Sequence, residues 1–210
     1  MITEQTIQDL FVIVPPHSFQ ARYAAFPYLH DEEGIVCFLD QEAFDEDILE
    51  NKDVKAVLCS PGMVSKFDGS GIVAMGVEDP RWHFYVLYNH VAKMNYVNIE
   101  SEISQSALIS PQAFIAENNV IIGERAIIEP GVIIQSDVEI GADSIIRSGA
   151  VLGAPGFEHK RTSKGIITVT HDGMVIIGQN VEIGANNNVA KGFRLRNTTI
   201  GDQCKFDGMV

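Results

Sequence analysis

The chain lacks long hydrophobic runs, is sparing with cysteine and is short of positive charge. No apolar stretch approaches the roughly 18 residues of a membrane-spanning helix, and the N-terminal MITEQTIQDL has neither the basic start nor the apolar core of a secretory signal. The expectation is a cytoplasmic protein with at most peripheral membrane contact. Three cysteines, Cys37, Cys59 and Cys204, are odd in number and far apart, which argues against a disulfide or zinc framework and fits a reducing compartment. With 28 acidic residues against 15 Lys and Arg, the net charge of −13 argues against a nucleic-acid partner. The deficit is uneven. Residues 1–102 hold 17 acids and 6 bases, whereas residues 103–210 hold 11 and 9.

What is abundant is a beat of six. Ile122, Ile128, Ile134, Ile140, Ile146 and Leu152 fall on every sixth position; Ile103, Ile109 and Ile115 precede them, and Ile177, Ile183, Val189, Ile200 and Phe206 follow. Six is not a helical period but is three times that of a strand. A second small or branched residue often sits four places on, as at Ala126, Val132, Val138, Ala150 and Val181, with the same strand parity and so on the same side. The residue after the aliphatic is small at ten of fourteen positions, Gly123, Gly141 and Gly178 among them. Small residues at a fixed phase mark corners too tight for a bulky side chain. Short strand, corner, short strand describes a parallel β-solenoid of the hexapeptide type, about 18 residues to a coil and four to five coils over residues 100–210. One extra residue between Ile115 and Ile122 reads as a bulge or widened corner.

Residues 1–99 do not repeat and form a separate, small α/β domain. Strands are expected at 10–14, 35–39, 54–59 and 72–77, and acidic helical stretches near 41–52 and 80–95. The second helix has a good start in Asp79-Pro80 and puts Phe84, Leu87, Tyr88 and Val91 on one face.

The beat fails twice at length, at 153–174 and 190–199, and the bases gather there: Lys160, Arg161 and Lys164 in the first break, Lys191, Arg194 and Arg196 in the second. Insertions in a repeat protein project from one face and often bind. Two basic insertions on one scaffold suit an anion, either a phosphate or an acidic partner protein. Phe157 and His159 in the first insertion are substrate-contact candidates. His159 and His171 lie twelve apart and outside the repeat corners, so no metal is expected.

Gly153-Ala154-Pro155-Gly156-Phe157, then GMVIIGQNVEIGANNNVAKG (Gly173–Gly192) and NTTIGDQCKFDG (Asn197–Gly208), resemble the UDP-3-O-acylglucosamine N-acyltransferases of lipid A and lipopolysaccharide synthesis. The similarity covers residues 103–210; the front half is similar only in layout. The resemblance implies a mainly β fold, a homotrimeric left-handed parallel β-helix behind a small α/β N-terminal domain. It also implies transfer of a 3-hydroxyacyl chain from an acyl carrier protein (phosphopantetheine) thioester, with no bound cofactor, to the 2-amino group of a UDP-sugar. By resemblance the uridine is held in the first domain, in a stretch where Phe38 or Phe44 supplies an aromatic and Asp40 stands where the family has Asn. The basic insertions would then face the donor, an acyl carrier protein or acyl-CoA.

By the same resemblance Asp207 matches a catalytic-region Asp, and the family's general-base histidine would lie about four residues beyond Val210. The sequence also stops in mid-hexad, and the expectation is a piece of a longer protein or a shortened relative. An acetyl-CoA-dependent nucleotide-sugar acetyltransferase and a non-catalytic trimeric solenoid without the general base stand as alternatives.

Overall fold

The computed structural model describes residues 1–41 and 44–209. It divides into two compact units: residues 1–95 with 158–170, and residues 96–157 with 171–209. The boundary near residue 95 is close to the one expected at 99. The assignment of Glu158–Thr170 to the first unit is not what the sequence suggested, because the expected division left the whole insertion with the repeats.

In the first unit β1 (Ile2–Thr3) leads into α1 (Glu4–Phe11) and pairs antiparallel with β2 (Gln20–Ala21). The strand expected at 10–14 is therefore wrong: Leu10 and Phe11 end α1, and residues 12–14 have no regular structure. The Thr3 N–H donates to the Thr6 hydroxyl at 3.2 Å, closing the helix start, and Ile7 turns inward. β3 (Tyr23–Ala24), β4 (Ile35–Leu39), β5 (Val54–Cys59) and β6 (Val73–Gly76) then form one parallel sheet in that order. β4 and β5 are buried along nearly all their length, as a parallel sheet covered on both faces requires. Between them the helix expected at 41–52 is confined to α2 (Asp45–Glu50); residues 42 and 43 lie outside the described residues.

α3 (Pro80–Met94) packs on β3, β4 and β5 and buries Phe84, Leu87, Tyr88 and Val91, the face that the sequence indicated. Its Asp79 cap accepts the Trp82 N–H at 2.8 Å, with Pro80 at the first helical position. The strands His159–Thr162 and Gly165–Thr168 form an antiparallel hairpin within this same unit.

The second unit is three parallel sheets of five, five and four short strands. Consecutive strands fall on different sheets, so each sheet stacks strands one coil apart: Ile122 pairs with Ile140, and Ile140 with Ile177. This is the arrangement of a parallel β-helix. The six-residue set points inward, Ile122 to Ile183 being almost wholly buried, together with Ala126, Val132, Val138, Ala150 and Val181. Each fully buried aliphatic side chain contributes about 1.5–3 kcal/mol relative to leaving it in water. Where the second inward position is polar, it is satisfied. The Ser144 hydroxyl donates to the Gly178 carbonyl and accepts the Val181 N–H, and Asn187 donates to the carbonyls of Gly184 and Asp207.

The corner glycines are explained by the next coil. A Cβ on Gly141 would lie 2.5 Å from the carbonyl carbon and oxygen of Gly178, so the backbones touch there. Left-handed backbone positions come two residues later in the turns; Asp143, Asn180 and Asn186 are residue types that tolerate it, and Arg125 and Gln203 adopt it as well. The widened corner holds Asn119, also left-handed, whose side chain accepts the Ile99 N–H and donates to the Val97 carbonyl.

Candidate functional site

The first unit contains a cavity of about 400 Å³. It opens beyond the carboxyl ends of two parallel strands, where ligands of open α/β sheets usually sit. Phe26 to Tyr28 follow β3, and Asp40 and Gln41 follow β4. Arg81, in the first turn of α3, and Tyr85, one turn on, form another wall; Phe44 and Asp47 come from the α2 segment, and Lys160 from the hairpin.

Three residues expected to touch the substrate, Phe38, Asp40 and Phe44, line this one cavity, and so does Lys160. Phe38 is fixed from beneath by Phe84, ring centroids 4.7 Å apart, so its position is set by the sheet–helix core. Phe26 and Tyr28 are stacked, 5.7 Å apart with 2° between their planes. Phe44 is about half exposed at the rim. Asp40 accepts both Arg81 Nε (3.0 Å) and Nη2 (2.6 Å) on one oxygen, Oδ2. The Tyr85 phenol is raised above its ordinary range, burial being the main cause, while Lys160 is raised chiefly by its hydrogen bond from the ammonium to Glu158. Flat aromatic walls with a few charged groups at the edge suit a planar ring carrying a polar or anionic arm.

The other expected residues do not converge here. His159 is exposed on the hairpin with its Nδ1 3.0 Å from the Thr168 hydroxyl, and Arg161 is exposed beside it. Lys164 lies 3.6 Å from the centre of the Trp82 ring. Phe157 belongs to the second unit and is 92% exposed.

The two basic clusters, expected on one anion-binding edge, are divided: Lys160, Arg161 and Lys164 belong to the first unit, Lys191, Arg194 and Arg196 to the second. Lys191 is already committed to Asp137 at 2.7 Å, both largely buried, a structural ion pair. The second insertion is a tight turn, Phe193 and Arg196 exchanging backbone hydrogen bonds, with the Arg196 guanidinium 5.1 Å from the Phe193 ring centre. The Arg194 N–H donates to Asp172, and His171 stacks on Phe193 at 4.3 Å. Asp207 is exposed; its carboxylate accepts the Gly208 N–H and its carbonyl accepts from Asn187.

Sequence reasoning missed Phe26, Tyr28, Arg81 and Tyr85. A usable signal existed in the run after each strand, since Phe26-Pro27-Tyr28 and Asp40-Gln41 both follow short apolar segments.

The family described as "Bacterial transferase hexapeptide (six repeats)" matches residues 119–154. The match covers about a sixth of the chain. Among similar curated proteins, the UDP-3-O-acylglucosamine N-acyltransferase of Dechloromonas aromatica is 45% identical over 65 residues, 31% of this chain and 18% of that protein. The protein of the same name from Coxiella burnetii is 47% identical over 68 residues, 32% and 20% of the two chains. The matched segments thus span only about a fifth of those relatives. A GDP-perosamine N-acetyltransferase of Caulobacter crescentus, solved with CoA and GDP-perosamine, aligns over 83% of each chain at 16% identity with a TM-score of 0.15, too low to build on.

Proposed function

We propose that this chain is an acyltransferase of nucleotide-sugar substrates, acting on the amino group of a UDP-amino sugar in lipid A or related surface-polysaccharide synthesis. The observation that carries the reading is a segment of 65 to 68 residues that is 45–47% identical to proteins named UDP-3-O-acylglucosamine N-acyltransferases. The cavity of the first unit supports it. Phe38 and Phe44 offer aromatic faces to a base, and Asp40 and Arg81 an acceptor and a donor to its edge.

The donor is an acyl carrier protein thioester or an acyl-CoA, for which Arg194 and Arg196 are the assigned basic groups, and Asp207 lies beside the reacting groups. An amine attacking a thioester must lose a proton to a base in hydrogen-bond reach. No bound cofactor is required. The location is cytoplasmic, where both donors are made. The test is direct: the protein is incubated with a UDP-3-O-acylglucosamine and either a 3-hydroxyacyl carrier protein or acetyl-CoA, and the sugar product is weighed by mass spectrometry. Acyl transfer from the carrier protein supports the reading, acetyl transfer alone supports the acetyltransferase alternative, and no transfer from either refutes an enzymatic role for this chain.

The repeats are taken to wind left-handed and to assemble as a homotrimer. Two outer ladders support the assembly: Leu108, Ile127 and Ile145 on one sheet, and Phe114, Ile133 and Val151 on the next. Leu108 and Phe114 are more than half exposed. Apolar ladders facing water are unusual unless covered. Sedimentation velocity of a Phe114→Glu, Ile133→Glu double variant should show loss of the trimer; an unchanged sedimentation coefficient would exclude these faces.

A further inference from the structure

We propose that Lys160 makes the cavity of the first unit select a phosphorylated ligand over its unphosphorylated counterpart, and that Glu158 competes with the ligand for it. The proposal rests on the nucleotide-sugar reading of that cavity and adds to it the residue that recognises the diphosphate.

Lys160 is presented by a clamped backbone. The Ser163 N–H donates to Asp79 Oδ2 at 2.7 Å, and Asn89 holds the other strand, donating to the Thr168 carbonyl at 2.9 Å and accepting the Thr170 N–H at 2.8 Å. Asp79 and Asn89 stand at the cap and in the third turn of α3, and Lys164 rests on Trp82 between them. The hairpin is therefore laid along the helix whose first turn carries Arg81. Lys160 lies at the cavity wall, about one-third exposed, with its ammonium 5.7 Å from the Tyr85 ring centre.

The charge count singles it out. Among the described residues, the charged ones lining the cavity are Asp40, Asp47, Arg81 and Lys160. Arg81 spends two of its donors on Asp40. Without Lys160 the wall would carry a net negative charge and repel a phosphate. An ammonium has three donors. One goes to the Glu158 carboxylate, which leaves donors for a phosphate oxygen. Glu158 does not line the cavity, so it draws the ammonium away from a ligand and cancels part of its field.

The experiment is calorimetric titration of the folded chain with two probes, uridine and UDP. The wild type should bind UDP about tenfold more tightly than uridine, the value of one partly exposed charge-assisted contact. Lys160→Met should remove that preference while leaving uridine affinity unchanged, and Lys160→Arg should restore most of it. Glu158→Gln should strengthen UDP binding by roughly threefold, with no effect on uridine. A Lys160→Met variant that weakens both probes equally, or neither, overturns the proposal while the nucleotide reading survives. Wild-type protein that binds neither probe overturns both. Near-ultraviolet circular dichroism of each variant establishes that the aromatic cavity is folded.

Discussion

The two units reach a buried core by opposite routes. In the repeat unit a residue's fate follows from its phase: Ile122 is inside and its neighbour Ile121 outside, and the same alternation recurs a coil later at Ile140 and Glu139. In the first unit no six-residue phase exists. Asn51 is buried because three backbone groups need it: it donates to the carbonyls of Pro27 and Leu29, in a loop more than 20 residues earlier, and accepts the nearby Asp53 N–H. Periodic neighbours make structure additive and local, whereas a parallel α/β sheet makes it cooperative and long-range.

That contrast can be broken most easily at Ile122. Ile122→Ala should cost about 2–5 kcal/mol, as for other buried aliphatic truncations, while Ile121→Ala on the outer face should cost under about 1 kcal/mol. Urea titration of the two variants measures the difference, and equal costs would refute the phase rule. Next in size is Gly141→Ala. The added methyl meets the Gly178 backbone, which cannot rotate away, and overpacking of this kind costs about 1–3 kcal/mol. Loss of stability no larger than that of Gly201→Ala, where an added methyl meets nothing within 4 Å, would show that the coils can part at no cost.

Asn51→Ala tests the other unit. It strips partners from buried backbone groups, at about 1–3 kcal/mol, and should act on the first unit alone. Cysteines report which unit opens. Cys37 and Cys59 are buried in the first unit, and burial pushes their thiols up, Cys59 to about 11, so they are protected in the native state; Cys204 is exposed in the second. Asn51→Ala should therefore speed alkylation of Cys37 and Cys59 and leave Cys204 unchanged. A smaller loss, about 1 kcal/mol, is expected for Asp79→Ala, which removes both the α3 cap and the Ser163 anchor. Faster proteolytic cleavage near residues 163–165 checks it.

The smallest effect is one of pH. Partial burial pushes the Asp79 carboxyl up, but hydrogen bonds from Ser163 and Trp82 outweigh it and hold Asp79 below the ordinary range. In the repeat unit, the Arg147 guanidinium holds the Glu129 carboxyl low. For a depressed carboxyl, the stabilisation is complete above its unfolded pKa near 4 and is lost as pH falls through the folded value. Both units should lose stability below about pH 4. Asp79→Asn should flatten that dependence for the first unit only, as read by thiol protection.

How far the sequence could be read follows the same division. The inward set from Ile122 to Ile183, the corner glycines and the buried face of α3 were all legible, because each is fixed by spacing within a few residues. The expected strand at 10–14 failed because an apolar run of five does not distinguish a strand from the end of a short helix, and the contact that fixes α1 is a Thr3–Thr6 hydrogen bond. Phe38, Asp40 and Phe44 were named by resemblance; that they share a cavity with Arg81, Tyr85 and Lys160 was not readable. Those residues come from segments separated by more than 100 positions, brought together by the order of the parallel strands and by the hairpin's hydrogen bonds to Asp79 and Asn89.

The sequence alone determined the repeat: six residues to a strand and corner, three strands to a coil, apolar side chains inward. It did so because every decisive contact in a β-helix lies about one coil away and carries the same phase. Tertiary structure decided the rest. The hairpin interrupting the repeats joins the other unit, because its hydrogen-bond partners Asp79 and Asn89 lie about 80 residues earlier in the chain. Lys160, a loop base by sequence, becomes part of a cavity wall, because burial and hydrogen bonding depend on distance in space and the chain's order does not encode that distance.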